Sequence, residues 1–470
     1  MRTMNAMRAL TLLAALPLVA CGGGSATPDE PVETLEIEVT GPAWTSTPSE
    51  ITEDGLINGG VEAFTVADVD VLLKLTPGNP TVYVGVWFDG GVLGWDDATA
   101  GHVDLALAAM ADGGPASMEK TAYTAAMDAV GASISGSAGY DRSSVGLSCV
   151  RPVFDDVWPV FAATLSDPAF RAEDFALLQE RVVTSRTTEL DEPDNALGIL
   201  LKERFFAEHP YSRRPDGDAE AVAAATVEDL RTAWTELRQR ERMLIVVVGD
   251  LTREDIETRI AELVVEWPMG VPLEVTVPTL PPMESDVHVD PRPELPTNYI
   301  LGYFPMPHMG DEDYAAAEIA MRWLRMQLFE EVRTRRNLTY AVSSGMATRR
   351  ANTGYLYVTA TDPNTTVQVM YDTVDAVIAE PPTEAELASE VETYLTSLYM
   401  GLQSNASQAG LLARWELGGL GRLNADAHLR ALEAVTPEDV AAVLDRWVRD
   451  VRWVVVGDPD QIDEDLFTSR

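Results

Sequence analysis

The sequence predicts an α+β fold made of two similar domains, each a mostly antiparallel sheet packed with helices. One observation is length, because 470 residues exceed one ordinary domain and suit two of about 200 residues each. The other is an internal repeat. Residues 225–230 (Ala-Thr-Val-Glu-Asp-Leu) match residues 435–440 (Val-Thr-Pro-Glu-Asp-Val). In both, a threonine precedes acidic residues, which is the pattern of a capped helix start.

The repeat continues from the helix into a strand. About twenty residues after each helix start, a run rich in valine ends at a Gly-Asp pair, Gly249-Asp250 in one copy and Gly457-Asp458 in the other. Such a run followed by a turn is typical of a strand end. Helix, strand and turn therefore recur at an offset of about 210 residues, which indicates a duplicated domain.

Composition and hydrophobic pattern place the boundaries. Domains are expected over residues 63–270 and 297–470, joined by a proline-rich linker over residues 271–296. The patterns predict the following elements: strands at 63–75, 80–88, 131–150, 298–304 and 338–361, and helices at 98–111, 118–130, 311–335 and between 365 and 449.

The first 21 residues have the composition of a secretory signal. Arg2 and Arg8 precede an apolar run over residues 9–20, which is too short to span a bilayer of about 30 Å. The run ends in Ala20-Cys21, which resembles a bacterial lipobox, and this implies a diacylglycerol on the Cys21 thiol. Gly22 is not the aspartate that retains such proteins in the inner membrane. We therefore expect a lipid anchor in the outer membrane facing the periplasm, and a flexible tether over residues 22–62.

Charge and cysteine content exclude several classes of function. The formal net charge is -41, so nucleic acid is a poor partner for this surface. Cys149 is the only cysteine besides Cys21, and its strand-like surroundings predict a buried, unreactive thiol.

Several short motifs, in order, resemble the insulinase/pitrilysin metallopeptidases. The resemblance covers roughly residues 63–460. In the first domain the matching segments are 100–102 (Ala-Gly-His), 167–170 (Asp-Pro-Ala-Phe), 192–193 (Glu-Pro) and 209–212 (His-Pro-Tyr-Ser). In the second domain residues 328–342 match the family's Leu-Phe-x-x-Val-Arg-x-x-x-x-Leu-x-Tyr. The resemblance implies two clam-shell halves around a cavity.

The family's zinc site is degenerate in this sequence. Its helix carries His-x-x-Glu-His, in which two histidines four residues apart bind zinc and the glutamate acts as general base. Here the first ligand position is His102, the base position is Leu105 and the second ligand position is Ala106. The third ligand is expected near residues 182–186, where no carboxylate occurs, although Glu180 and Glu189 flank that window. We therefore expect neither a metal nor a catalytic residue in this chain, with His102 left as a vestigial ligand position.

A second element of the family is retained. Its arginine and tyrosine, seven residues apart, hold the substrate backbone, and the matching residues are Arg333 and Tyr340. A guanidinium offers a planar fork of donors to a carbonyl or carboxylate, and a phenol adds one more. The alternative is structural, because cations are favourable at a helix end and a tyrosine can simply pack.

The resemblance implies three functions. The first is the non-catalytic, peptide-binding subunit of a two-chain metallopeptidase, whose zinc lies in a homologous partner. The second is an inert scaffold or peptide-binding lipoprotein, which would not need Arg333 and Tyr340. The third is a self-sufficient zinc metalloendopeptidase, which Leu105 and Ala106 argue against.

Overall fold

The computed structural model describes residues 55–271, 280 and 283–470. The first domain contains a six-stranded sheet in the order β1-β2-β6-β3-β5-β4. Its strands are β1 (Val61–Val66), β2 (Val69–Leu75), β3 (Thr81–Asp89), β4 (Ser133–Ser137), β5 (Arg142–Val150) and β6 (Met243–Gly249). Only β2 and β6 pair in parallel.

The second domain contains a five-stranded sheet in the order β7-β11-β8-β10-β9. Its strands are β7 (Asp286–Pro291), β8 (Asn298–Pro305), β9 (Val342–Met346), β10 (Thr353–Ala360) and β11 (Arg452–Gly457). Only β7 and β11 pair in parallel. Both sheets are mostly antiparallel, so the predicted α+β fold is confirmed.

The helices of the first domain lie in the segments that connect its strands and after its last strand. They are α1 (His102–Gly113), α2 (Lys120–Ala129), α3 (Phe154–Ser166), α4 (Ala172–Thr188), α5 (Pro193–Phe205), α6 (Ala219–Ala224), α7 (Val227–Leu237) and α8 (Arg253–Val264). Those of the second domain are α9 (Tyr314–Leu328), α10 (Pro363–Ala379), α11 (Glu384–Gly401), α12 (Asn405–Leu417), α13 (Asn424–Glu433), α14 (Pro437–Trp447) and α15 (Glu464–Phe467). A π-helical segment, Phe329–Arg335, continues α9.

The internal repeat corresponds to the same unit in each domain. Both α7 and α14 begin with a capping box, formed by Thr226 with Asp229 and by Thr436 with Asp439. Each helix leads into a central strand, β6 or β11, that pairs in parallel with one neighbour and antiparallel with the other. The order β2-β6-β3-β5-β4 thus corresponds to β7-β11-β8-β10-β9, and β1 is an additional edge strand.

One helix of each domain packs on the sheet of the other domain. In β6, Ile245 and Val247 face the core of their own domain, whereas Leu244, Val246 and Val248 join the core of the second domain. The helix that packs on that face is α12, from the second domain. Reciprocally, α5 of the first domain packs on β8 and β11. Each sheet is therefore covered on both faces, which explains why the central strands are continuous apolar runs.

Two of the predicted boundaries differ from the structure. The expected tether over residues 22–62 ends earlier, because Ile57 and Asn58 are buried, and the backbone N–H groups of both donate to the Asp426 carboxylate at 2.9 and 3.0 Å. The expected linker over residues 271–296 contains β7, which pairs with β11 at the edge of the second sheet. No local sequence pattern indicates this strand. Cys149 is buried in β5, where burial raises the pKa of its thiol to about 12.

The predictions for the N-terminus concern residues that the structure does not describe. The signal over residues 1–21, the lipidated Cys21 and most of the tether lie outside the described residues. Within the ranges 55–271 and 283–470, no helix is both long enough and apolar enough to cross a membrane.

The exchanged helices lead to a prediction about stability. We expect Leu197→Ala in α5 and Leu412→Ala in α12 each to lower the free energy of unfolding by about 2–5 kcal/mol, because both side chains are at most 1% exposed. Chemical denaturation followed by tryptophan fluorescence measures this, and a single transition should remain because the cores are shared. The control Leu177→Ala, at a side chain that is 66% exposed, should change little. Two separate transitions would contradict the shared core.

Candidate functional site

The degenerate metal helix begins at a tight backbone contact. Gly101 precedes α1 with a φ of 87°, and a Cβ there would lie 2.8 Å from the Cα of Gly217. Only glycine fits this position. The contact brings Asp216, which precedes Gly217, to the first turn of α1, where His102 is the first helical residue and is partly exposed.

The two other positions of the motif belong to the apolar core. Leu105 is 2% exposed and Ala106 is 1% exposed. Neither side chain can bind a metal or accept a proton. Asp104 accepts a hydrogen bond of 3.0 Å from the backbone N–H of Ala138, beside β4; burial raises the pKa of this carboxyl, and the hydrogen bond partly offsets that effect. No group of three or more histidine, cysteine, aspartate or glutamate residues in the described ranges could hold a metal ion.

The expected third-ligand window contains an arginine ion-pair cluster. Arg186, in the last turn of α4, pairs with Asp216 at 2.6 Å and with Glu189 at 3.2 Å. Glu189 also accepts from both terminal nitrogens of Arg214, and this hydrogen bond is the main reason why the pKa of Glu189 lies below its ordinary value. The other flanking carboxylate, Glu180, is exposed. The residues around α1 therefore do not fit a zinc ion.

The second predicted element is brought together by the structure. Arg333 lies in the π-helical segment, and Tyr340 lies just before β9. The Arg333 guanidinium carbon is 4.4 Å from the centre of the Tyr340 ring and 4.7 Å from that of Phe329. The guanidinium is thus flanked by two aromatic rings, an arrangement that is stabilising by about 0.5–2 kcal/mol per contact.

The hydrogen-bond donors of Arg333 have no acceptor among the described residues, unlike those of the neighbouring arginines. Arg335 pairs with Glu330 at 3.2 Å and with Glu331, and Arg336 pairs with Glu331. For Arg333 the described residues provide neither an ion pair nor a hydrogen bond to the side chain, and the same holds for the hydroxyl of Tyr340, whose side chain is 82% exposed. The aromatic contacts do not use the guanidinium N–H groups as hydrogen-bond donors, so these groups remain available to an acceptor.

Sequence analysis missed two contributors to this arrangement. Phe329 lies four residues before Arg333, a spacing that places two side chains on one helix face and could have identified it. The π-helical turn has no sequence signal of comparable strength; such turns occur often at functional sites. It ends with Asn337 at a φ of 52°, a conformation that asparagine tolerates better than most residues.

Comparison with known proteins gives a match to one family. Residues 224–394 match the family model described as the peptidase M16 inactive domain. The chain is similar to M16 peptidases over this segment. The resemblance to the insulinase/pitrilysin peptidases, and to their non-catalytic type, is thereby confirmed. A crystal structure of a peptidase M16 inactive domain from Pseudomonas fluorescens has a TM-score of 0.77 at 22% identity, covering 85% of this chain and 98% of that chain.

Other similar proteins are described as proteases. The periplasmic protease PqqL from Escherichia coli has a TM-score of 0.74 at 13% identity, over 91% of this chain and 48% of that chain. At such identities the likeness concerns the fold. An uncharacterized zinc protease of Mycobacterium bovis is 26% identical over 288 residues, which are 58% of this chain and 64% of the relative. The match thus spans less than two thirds of the relative's own length.

The donor set on α1 leads to a prediction about metal content. We expect the purified protein to retain far less than one zinc ion per chain after dialysis, because a single imidazole cannot supply the three ligands of a catalytic site. Elemental analysis measures this, and EDTA should leave the unfolding temperature unchanged. Stoichiometric zinc that is lost in His102→Ala would contradict it.

The ion-pair cluster leads to a prediction about pH. At pH 7, Glu189→Gln should lower the free energy of unfolding by about 1–3 kcal/mol, because Arg186 and Arg214 lose a charged acceptor. The folded-state pKa of Glu189 is lowered, so the contribution is complete above the unfolded value of about 4.3 and is lost as the pH falls through the folded value. Denaturation at pH 7, 5 and 3 should show the two proteins converging at low pH. The exposed control Glu180→Gln should match wild type throughout, and a gap as large at pH 3 as at pH 7 would contradict the assignment.

Proposed function

We propose that this chain is the non-catalytic, peptide-binding subunit of a two-chain metallopeptidase, with Arg333 and Tyr340 holding the peptide. One observation carries the proposal: the Arg333 guanidinium contacts two aromatic rings and has no acceptor among the described residues, in a chain whose zinc helix lacks its metal ligands. A scaffold needs neither the orientation nor the unpaired donors.

The geometry suits the carbonyl or carboxylate groups of a peptide. Contacts with the two rings restrict the Arg333 side chain before a ligand arrives, so less side-chain entropy is lost on binding. A hydrogen bond from an arginine to such an acceptor contributes about 1.5–3 kcal/mol. The exposed Tyr340 hydroxyl is a second donor beside it.

The catalytic step requires a second protein. Leu105 and Ala106 occupy the positions of the general base and the second ligand, so this chain activates no water of its own. We therefore assign the zinc, and the hydrolysis, to a homologous subunit with an intact His-x-x-Glu-His helix. The chain itself requires no cofactor in this assignment. Lipid attachment through Cys21 would place the pair at the outer membrane.

The test uses an M16 chain with an intact zinc helix from the same genome. The two full-length chains are purified separately and together, and cleavage of a fluorogenic peptide library is followed. We expect no cleavage by this chain alone and chelator-sensitive cleavage by the pair. Arg333→Ala should lower kcat/KM of the pair by roughly 10- to 100-fold, and Arg333→Lys should lower it too, because lysine lacks the planar fork.

The matched control is Arg335→Ala, which removes a neighbouring arginine of the same segment that is already paired with Glu330 and Glu331. It should leave kcat/KM within about twofold of wild type, in the range of an exposed ion pair. Full activity of a pair containing Arg333→Ala and Tyr340→Ala would instead assign this subunit a scaffold role. Cleavage by this chain alone would show a self-sufficient peptidase.

A further inference from the structure

A cavity of about 620 Å³ lies between the two domains, apart from Arg333 and Tyr340. Asp141 and Arg142, at the start of β5, line it from the first domain. The connection between β9 and β10 (residues 347–352) and the end of α12 line it from the second. The volume lies in the range of sites for small organic molecules, about 300–1,000 Å³.

Four arginines line this cavity: Arg142, Arg349, Arg350 and Arg414. Such a concentration is unexpected in a chain with a net charge of -41. Two carboxylates, Asp141 and Asp311, also line the cavity, so the arginines outnumber the acids by four to two. Asp141 accepts from the Tyr211 hydroxyl and the Arg350 backbone N–H. Asp311 pairs with His308, and Asp89 pairs with Arg350.

A structural role accounts for only one of the four arginines. Arg350 joins the domains by pairing with Asp89 at 2.8 Å and donating to the carbonyl of Leu417 at the end of α12. Arg142, Arg349 and Arg414 form no ion pair within residues 55–271 and 283–470. Burial, followed by the charge of Arg414, lowers the pKa of Arg142. The charges of Asp141 and Asp89 offset this effect only in part, so the like charges are incompletely compensated.

Buried donors and an apolar wall complete the site. Nη1 of Arg350 and Nε of Arg414 are buried without a hydrogen-bond partner among the described residues, although their side chains line the cavity. A buried donor without a partner is destabilising, and an anionic acceptor would remove that cost. Apolar side chains cover the rest of the wall: Met306, Met309, Ala351, Leu420 and Trp447. Arg349 stacks on Tyr140, with 4.2 Å between the guanidinium carbon and the ring centre.

We propose that this interdomain cavity binds a small organic anion that carries a carboxylate on an apolar body, with Arg142, Arg349 and Arg414 holding the carboxylate. The guanidinium fork matches the two oxygens of a carboxylate, and the methionine and tryptophan side chains contact the apolar body. The site is independent of the proposed peptidase role, because it uses neither α1 nor Arg333.

The experiment compares three probes on the full-length chain at constant ionic strength. They are naphthalene-2-carboxylate, the uncharged naphthalene-2-methanol and inorganic phosphate. We expect the carboxylate to raise the unfolding temperature in a saturable manner, and isothermal titration to show one site per chain. The alcohol lacks the charge and phosphate lacks the apolar body, so both should bind at least 10-fold more weakly. Equal binding of the alcohol or of phosphate would overturn the assigned ligand class, and failure of the carboxylate to bind would overturn the site.

Two variants distinguish the site from a structural role. Arg414→Met should leave the unfolding temperature of the free protein unchanged or higher, because it removes a repelling buried charge, yet it should weaken the carboxylate at least 10-fold. Arg349→Met should weaken it similarly, and provides the test if Arg414→Met fails to fold. The control Arg325→Met removes an exposed arginine of α9 and should bind the carboxylate like wild type. Binding that is unchanged in both cavity variants would overturn the proposal.

Discussion

The arrangement of the whole molecule depends on two strands, β6 and β11, that are buried on both faces. Each sheet takes one helix layer from its own domain and the other from its neighbour, α12 for the first sheet and α5 for the second. Burial of a valine or leucine side chain is worth about 1.5–3 kcal/mol. Separating the domains would expose several of them, at a cost comparable with the whole stability of a domain, about 5–15 kcal/mol. The clam-shell halves implied by the resemblance are therefore joined by a shared core, and the interdomain cavity inherits its geometry from that core.

The same packing explains why the two substitutions in the zinc helix could not simply be reversed. Leu105 and Ala106 are almost completely buried, so their side chains contribute to the core that supports β4 and α7. A glutamate and a histidine at these positions would have to be partnered or lose their charge. At the window of the third ligand, Arg186 and Glu189 already form ion pairs with one another and with Asp216 and Arg214 respectively. Restoring a metal site would thus require repacking as well as new ligands.

Local and repeated features could be predicted from the sequence, whereas features that depend on distant contacts could not. The duplicated fold followed from the capping boxes at Thr226 and Thr436 and the strands after them, because these signals are local. The pairing of Arg333 with Tyr340 followed from a short motif. In contrast, β7 lies in a proline-rich stretch and forms only because β11 pairs with it. The four arginines of the cavity are spread along the chain from residue 142 to residue 414. No sequence pattern links them, because they meet only where the two domains pack together.

Electrostatics gives the unpaired arginines their significance. A net charge of -41 repels anions at long range, but at physiological salt the Debye length is about 8 Å, so distant carboxylates are largely screened. Within a cavity the nearest charges dominate, and here four arginines outnumber two carboxylates, Asp141 and Asp311. The acidic exterior then slows the approach of anions in general, whereas the cavity stabilises those whose shape and apolar body allow them to enter. Selectivity of this kind arises from a difference between long-range repulsion and short-range attraction. Added salt should therefore weaken the discrimination as well as the binding.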